Sequence, residues 1–235
     1  MKPVAIFRHS PTEGPGYFAE YLDRARIPWK LICIDQGDPV PDSLERSSGL
    51  AFMGGPMSVN DSLPWIAPAM ALIQGAVARG MPVLGHCLGG QLMSKALGGR
   101  VTAAPSKEIG WGAVQVEDTA VAREWFGAPG RFLSFHWHGE TFSVPPGAQR
   151  LLSSQWCENQ AFALGPHLAM QCHIEMTCAL VESWCETGRR EIERSRSSPG
   201  VQPREQILER LDERVGALHA LADRVYARWT QGLAG

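Results

Sequence analysis

The sequence lacks any apolar run that approaches the roughly 20 residues needed for a membrane-spanning helix. It also lacks a signal-peptide core, because its first apolar run is brief and ends directly at Arg8. No basic block occurs, and 22 Lys and Arg against 24 Asp and Glu give a formal net charge of −2. These absences argue against a membrane or a nucleic acid as partner, and they predict a cytoplasmic protein.

No CxxC pair occurs among the six cysteines, so a structural zinc site has little support. In the cytoplasm these thiols are expected to be reduced, and most of them to be small core residues, with Cys87 as the exception. His136 and His138 lack a third ligand at a convincing spacing, and we expect them to face opposite ways or the solvent. The sequence therefore predicts neither a metal nor a cofactor.

Short apolar runs alternate with helix-like stretches in the first half of the chain. Residues 4–7, 50–53 and 82–84 have the pattern of buried strands, and residues 16–25 have that of an amphipathic helix. This alternation predicts βαβ units, that is, an α/β fold with a mostly parallel central sheet and helices on both faces. The strand-rich region 113–172 predicts an antiparallel extension of that sheet.

The composition changes after residue 187, which divides the chain into three parts. Residues 1–187 are predicted to form the main domain, and residues 188–203, rich in Arg, Ser, Pro and Gly, an exposed connector. Apolar residues then recur every three or four positions over residues 204–235, which predicts a C-terminal amphipathic helix. Its apolar stripe would pack on the main domain or on a partner. A second copy of the chain, in a homodimer, is one such partner.

The segment Gly85-His86-Cys87-Leu88-Gly89 has the pattern of a nucleophile elbow with Cys in the place of Ser. A predicted strand leads in and a predicted helix leads out, so the turn would lift the thiol above the carboxyl edge of the sheet. The sulfur would lie by a helix N-terminus, where N–H groups favour thiolate, and the N–H of Leu88 would face an oxyanion. The alternative is a buried cysteine in a tight turn.

Two more segments would complete a catalytic site. Gly54 and Gly55 follow another predicted strand, and one of their N–H groups could be a second oxyanion donor. Late in the chain, His173 could act as a base and Glu175 could orient its far nitrogen. A nucleophile, a base and an orienting carboxylate are the three roles of a catalytic triad.

These motifs together resemble the class I glutamine amidotransferases. The closest resemblance is to stand-alone proteins similar to the amidotransferase domain of GMP synthase, and it covers roughly residues 3–187. It is carried by the elbow through Gln91, by Gly54-Gly55-Pro56 and by His173-Ile174-Glu175. The resemblance implies the flavodoxin-like fold of that family.

The resemblance also implies residue roles. Cys87 would attack the side-chain amide of glutamine, with His173 as the base and Glu175 holding the imidazole. The N–H groups of Gly55 and Leu88 would stabilise the oxyanion. The residues that would contact the bound glutamine are Gln91, Trp137, Gly139 and Glu140.

The sequence departs from the family pattern at three positions. His86 stands where an apolar residue is usual, and we predict a buried, hydrogen-bonded side chain, with tuning of the thiol as the alternative. Cys172 and Ile174 stand where Phe and Pro are usual, and Ile174 is expected to loosen the turn that aims the base. Glu13 and Glu108 are expected on the surface, with a place in the lining of the site as the alternative.

Three functions remain open from the sequence. The first is a glutaminase-type hydrolase that releases glutamate and ammonia, with a separate synthetase as a partner, because no pyrophosphatase phosphate loop appears. The second is a γ-glutamyl peptidase that cleaves γ-glutamyl amides of other amines. The third is a non-catalytic or redox-sensing protein on the same fold.

Overall fold

The computed structural model describes residues 1–233, so the last two residues of the predicted segment 204–235 lie outside the described part. The strands are β1 (Val4–Arg8), β2 (Trp29–Cys33), β3 (Gly49–Phe52), β4 (Val83–His86), β5 (Val101–Val116), β6 (Arg131–Phe142), β7 (Gln149–Ser154), β8 (Ala161–Leu164), β9 (His167–Met170) and β10 (Gly200–Val201). The helices are α1 (Gly16–Arg24), α2 (Ile66–Ala78), α3 (Leu88–Ala96), α4 (Ala120–Phe126), α5 (Cys178–Thr187), α6 (Arg189–Ser195), α7 (Arg204–Leu208) and α8 (Leu211–Thr230).

One sheet contains these strands in the order β10-β5-β7-β8-β9-β4-β3-β1-β2, with β6 paired to β5. Strands β2, β1, β3, β4 and β9 are parallel neighbours. Strands β9, β8, β7, β5 and β6 pair antiparallel. The predicted α/β fold with an antiparallel extension is therefore confirmed.

Strand β1 shows why the sheet is covered on both faces. Val4 and Ile6 pack in one apolar core with α1 and α8, whereas Ala5 and Phe7 pack in a second core with α2 and α3. Successive side chains of a strand point to opposite faces, so a strand buried on both sides is a continuous apolar run. This is the pattern that predicted the parallel strands.

The region after residue 187 has more regular structure than the sequence indicated. The predicted exposed connector contains α6, whose Ile192 is buried in the first core, and β10, which pairs with β5. The predicted C-terminal helix is two helices, α7 and α8, separated at Arg210, whose φ is +52°. Within residues 1–233, no helix combines the length and the hydropathy needed to cross a membrane.

Helix α8 packs on the main domain, against α1, α4 and α5. The buried residues of its apolar stripe are Val215, Leu218, Ala222, Val225, Tyr226 and Trp229. These side chains belong to the same core as α1 and the first face of β1. The C-terminal stripe therefore lies inside the domain rather than on a free surface.

Candidate active site

Three neighbouring parallel strands end at one edge of the sheet. Phe52 ends β3, His86 ends β4 and Met170 ends β9, and β4 lies between the other two. The chain continues from these ends into the Gly54-Gly55 turn, the elbow and the segment 171–175. Because parallel strands place their carboxyl ends together, three segments far apart in sequence converge there.

Cys87 lies at a sharp turn between β4 and α3. Its φ of +51° and ψ of −107° are sterically unfavourable for a residue with a side chain. Its N–H donates to the carbonyl of Met170 at 2.7 Å, which extends the β4–β9 pairing into the turn. A Cβ on Gly85 would lie 2.5–2.6 Å from backbone atoms of Gly89 and Gly90, so strand and helix approach backbone to backbone. These are the features of the predicted nucleophile elbow.

His173 and Glu175 form a buried pair beside the elbow. The Nδ1 of His173 lies 2.6 Å from Oε1 of Glu175, and both side chains are almost fully buried. The N–H of His173 donates to the carbonyl of Phe135 at 2.8 Å, and the Trp184 ring packs edge-on against the imidazole. His173 is thus in contact with residues of both β6 and α5.

The pKa values of this pair report its surroundings. Burial lowers the pKa of His173, but the charge of Glu175 and the hydrogen bonds with Cys87 and Glu175 outweigh it and raise the pKa well above its usual value. Burial raises the pKa of Glu175, but His86 and His173 hold it well below its usual range. The imidazole therefore lies against a carboxylate anion, and Cys87 is near enough to contribute to the rise of its pKa.

The tautomer of His173 follows from its contacts. The Nδ1 donates to the carboxylate of Glu175, so the lone pair of the neutral ring resides on Nε2. This Nε2 is buried and has no hydrogen-bond partner among residues 1–233, and Cys87 is one of the groups that raise the pKa of the ring. The lone pair on Nε2 is therefore free to accept a proton.

A cavity of about 400 Å³ opens above Cys87. The predicted site residues that line it are Gly55, Cys87, Gln91, Trp137, Gly139 and Glu140. The carbonyl of Trp137 lies 3.9 Å from the Cys87 sulfur, and Glu140 accepts a hydrogen bond from the Ser58 hydroxyl at 3.0 Å. The structure therefore places the predicted substrate residues around the predicted nucleophile.

Leu88 and Gly55, the predicted oxyanion donors, lie against each other. Leu88 is the first residue of α3, and N–H groups in a first helical turn have no acceptor within the helix. A Cβ on Gly55 would lie 2.6 Å from Cδ2 of Leu88. The Leu88 side chain therefore packs against the backbone of Gly55, so the two predicted donors belong to neighbouring segments of the elbow region.

Sequence reasoning missed Gln171, which contacts the sulfur directly. Its Nε2 donates to the Sγ of Cys87 at 3.4 Å, and its Oε1 accepts from the Nε2 of Gln91 at 3.1 Å. The side chain is completely buried. The only sequence signal for Gln171 was its position two residues before the predicted base. That position does not indicate where the side chain points.

Glu13 was expected on the surface, and this expectation is wrong. Glu13 lines the cavity, and its carboxylate lies against the backbone of Gly54, close to the imidazole of His173. Burial is the main cause that raises its pKa to about 7, with Glu175 and Glu191 adding to the effect and His173 opposing it. The wall of the cavity near the imidazole therefore carries an acid that titrates near neutral pH.

Glu108 was also expected on the surface, but it is buried with His136 and His138. Residues two apart on a strand share a face, so both histidines point to the same side, and their ligand atoms lie within 4.8 Å of those of Glu108. This set has the chemistry of a metal site. Its carboxylate accepts from Gln160 at 2.8 Å and from Ser154 at 3.0 Å, and lies 3.1 Å from His138. These contacts satisfy the buried carboxylate without an ion.

The fold and the site define an α/β protein with a cysteine at a strand–helix elbow, beside a buried histidine–glutamate pair. The family model described as glutamine amidotransferase class-I matches residues 19–182. The chain therefore belongs to the class I glutamine amidotransferase family.

Known proteins show the same relationship. A crystal structure of a glutamine amido transferase from Methylobacillus flagellatus is 45% identical, with a TM-score of 0.97 over 100% of this chain and 96% of that one. The glutamine amidotransferase-like protein YfeJ of Salmonella typhimurium is 28% identical over 78% of this chain and 80% of its own. A GMP synthase of Aeropyrum pernix is 37% identical over 49% of this chain but only 21% of its own length.

Proposed function

We propose that the protein hydrolyses the side-chain amide of glutamine through a γ-glutamyl thioester on Cys87. The observation that carries this proposal is that Cys87 and the His173–Glu175 pair converge at one edge of the sheet. The N–H of Cys87 donates to the carbonyl of Met170 at 2.7 Å, and the Nδ1 of His173 lies 2.6 Å from Oε1 of Glu175. Family membership supports the same chemistry. A cysteine, a base and an orienting carboxylate are what acyl transfer through a thioester requires.

The first half-reaction forms the thioester. The Nε2 of His173 takes the thiol proton, and the sulfur attacks the amide carbon, so that the carbonyl π electrons move to the oxygen. The N–H groups of Gly55 and Leu88 stabilise this oxyanion. When the tetrahedral intermediate collapses, the C–N bond breaks and His173 returns the proton to the departing ammonia.

The second half-reaction releases glutamate. Water attacks the thioester carbon while His173 accepts its proton. The C–S bond then breaks, and the proton passes to the sulfur. Glu175 holds the imidazole in one orientation and stabilises the imidazolium in both halves. The net reaction consumes glutamine and water and yields glutamate and ammonia, with no cofactor.

The substrate would bind with its side chain towards Cys87 and its α-groups among the other residues that line the cavity. Gln91 presents an amide side chain, and Glu140 presents a carboxylate that suits an α-ammonium group. The backbone around Trp137 and Gly139 provides further polar groups on β6. Glutamine offers complementary charges at its α-carbon.

A second candidate is the hydrolysis of other γ-glutamyl amides. A cavity of about 400 Å³ falls in the range that holds drug-sized ligands. Its walls include Glu13, Lys107 and Glu191 in addition to the residues proposed for glutamine. A cavity of this size with these polar walls has room for a leaving group larger than ammonia, which is why other γ-glutamyl amides are the second candidate.

A synthetase on a separate chain is the proposed ammonia acceptor. The Aeropyrum pernix relative is a glutamine-hydrolysing GMP synthase, and this chain matches only 21% of its length. We propose that ammonia made at this site serves a synthetase reaction.

One assay separates these functions. Wild type, Cys87→Ala and the control Cys178→Ala are incubated with glutamine, glutathione and γ-glutamyl-p-nitroanilide, and the released glutamate and amine are measured. Cys178 contacts Asp212 at 3.2 Å and does not line the cavity, so its variant should match wild type.

Glutamine turnover that disappears only in Cys87→Ala supports the main proposal. A preference for the γ-glutamyl amides supports the second candidate. If wild type turns over none of the three while Cys87 oxidises reversibly, the proposal is overturned in favour of a redox-sensing protein.

A further inference from the structure

A second histidine contacts the carboxylate of Glu175. The Nδ1 of His86 lies 3.0 Å from Oε2 of Glu175, while His173 takes the other oxygen. The two atoms are within ion-pair distance but do not meet hydrogen-bond geometry, and Oε2 has no hydrogen-bond partner among residues 1–233. Both side chains are almost completely excluded from water. The carboxylate is thus shared between two imidazoles, one on each oxygen.

His86 in turn contacts the C-terminal helix. The hydroxyl of Tyr226, on α8, lies 3.5 Å from Nε2 of His86, and the two rings pack edge to face. If Nδ1 of His86 carries the proton, it donates to Glu175 and leaves Nε2 free to accept from the tyrosine. A continuous contact chain therefore runs from Tyr226 through His86 and Glu175 to His173.

We propose that His86 is a positioning residue for the triad, an inference that rests on the proposed function. A carboxylate held through one oxygen alone can rotate. The imidazole hydrogen-bonded to it then changes its orientation and no longer points towards the sulfur. A donor on the second oxygen fixes the plane of the carboxylate. Networks of this kind orient a functional imidazole through its carboxylate partner.

The chain position of His86 strengthens the coupling. It directly precedes Cys87, and it is the last residue of β4, paired in register with Met170 of β9. The same strand therefore fixes the sulfur and the anchor of the carboxylate. An apolar side chain at this position would remove the imidazole that lies 3.0 Å from the buried Oε2, and a buried anionic oxygen without a polar neighbour is costly.

The test uses two variants of His86. His86→Ile removes the donor, whereas His86→Asn keeps an N–H close to the position of Nδ1. The first readout is the rate at which iodoacetamide alkylates Cys87, followed by peptide mass spectrometry, with Cys178 as an internal reference. The second is kcat and KM for glutamine, and thermal unfolding checks that each variant is folded.

We expect His86→Ile to lower both the alkylation rate of Cys87 and kcat by about five- to tenfold, with KM within about twofold. His86→Asn should recover most of the loss in both readouts. Alkylation of Cys178 should not change, because that thiol lies apart from the triad.

Two results would overturn the inference. One is an alkylation rate of Cys87 in His86→Ile equal to that of wild type. The other is an equal loss in both variants, which would indicate packing rather than hydrogen bonding. The alkylation readout needs no substrate, so it remains decisive even if wild type fails to hydrolyse glutamine and the proposed function is wrong.

Discussion

The N–H of Cys87 donates to the carbonyl of Met170 at 2.7 Å. This hydrogen bond joins the elbow to the end of β9, from which the chain leads through Gln171 to His173. It therefore fixes the backbone of the proposed nucleophile relative to that of the proposed base. The strained φ of +51° at Cys87 is maintained by this contact and by the close packing of α3 on the strands.

The first prediction concerns that close packing. A methyl group at Gly89 would overlap the carbonyl of Phe52, the last residue of β3. We expect Gly89→Ala to lower the free energy of unfolding by at least about 2 kcal/mol, since the backbone must shift. Urea denaturation measures the change.

Gly216 provides the matched control. It lies within α8, is exposed, and has no heavy atom within 4 Å of an added Cβ. Gly216→Ala should therefore stabilise the protein by about 0.5–1 kcal/mol through helix propensity. If the two variants had the same stability, steric contact at the elbow would not be the reason for the glycine.

The second prediction concerns the charge of Glu175. Glu175→Gln keeps the shape of the side chain but removes the anion between His86 and His173. We expect kcat for glutamine to fall at least about 100-fold with a smaller change in KM, because the imidazolium loses its partner. Steady-state kinetics measure both constants, and a kcat within threefold of wild type would contradict the assigned role.

Glu175 also contributes to acid stability. Its folded pKa is held well below the ordinary 4.5, so its stabilising contribution is present above pH 4.5 and is lost as the pH falls towards the folded pKa. The stability difference between wild type and Glu175→Gln should therefore be largest near neutral pH and shrink on acidification below about pH 4.5. Urea denaturation at pH 7 and pH 3.5 measures it.

The third prediction concerns Glu13, whose pKa shift has the opposite sign. Its folded pKa is about 7 and its ordinary value 4.5, so the folded state holds the proton more tightly. Stability therefore falls as the pH rises from about 4.5 to about 7, by at most about 3 kcal/mol for this shift. Glu13→Gln removes the titration.

The experiment compares urea denaturation of wild type and Glu13→Gln at pH 5 and pH 8. The variant should gain stability relative to wild type between these two values. An unchanged difference would show that the carboxyl group titrates normally and is not confined in the cavity wall.

The fourth prediction concerns Gln171. Its Nε2 donates to the Cys87 sulfur at 3.4 Å, so it would stabilise a thiolate. We expect Gln171→Met, which keeps the volume but removes the donor, to slow alkylation of Cys87 by about tenfold at neutral pH. The same peptide assay measures it, and a rate equal to wild type would mean that the amide fills space only.

The strands and the elbow were predictable because their signals are local. The apolar run of β1 is continuous since both faces are buried, and the glycines around Cys87 reflect contacts with residues only a few positions away or with the adjacent strand. The alternation of strands and helices then predicts parallel order, which brings strand ends to one edge. The location of the candidate site follows from these rules.

The region after residue 187 was less predictable. Its polar composition indicated an exposed connector, but β10 forms because β5 offers an unpaired edge, and α6 forms because Ile192 reaches the core. Neither cause is visible within the segment itself. The division of the last helix at Arg210 likewise depends on how α7 and α8 pack on the domain.

The sequence by itself determined the fold class and which residue types are available for the chemistry. Only the tertiary structure decided that one carboxylate serves both His86 and His173, that Tyr226 lies behind them, and that Gln171 points at the sulfur. The cluster of Glu108 with His136 and His138 could not be recognised from the sequence for the same reason: its members meet only in the folded protein. Such contacts join residues tens of positions apart, and local patterning carries no information on which side chains meet inside a core.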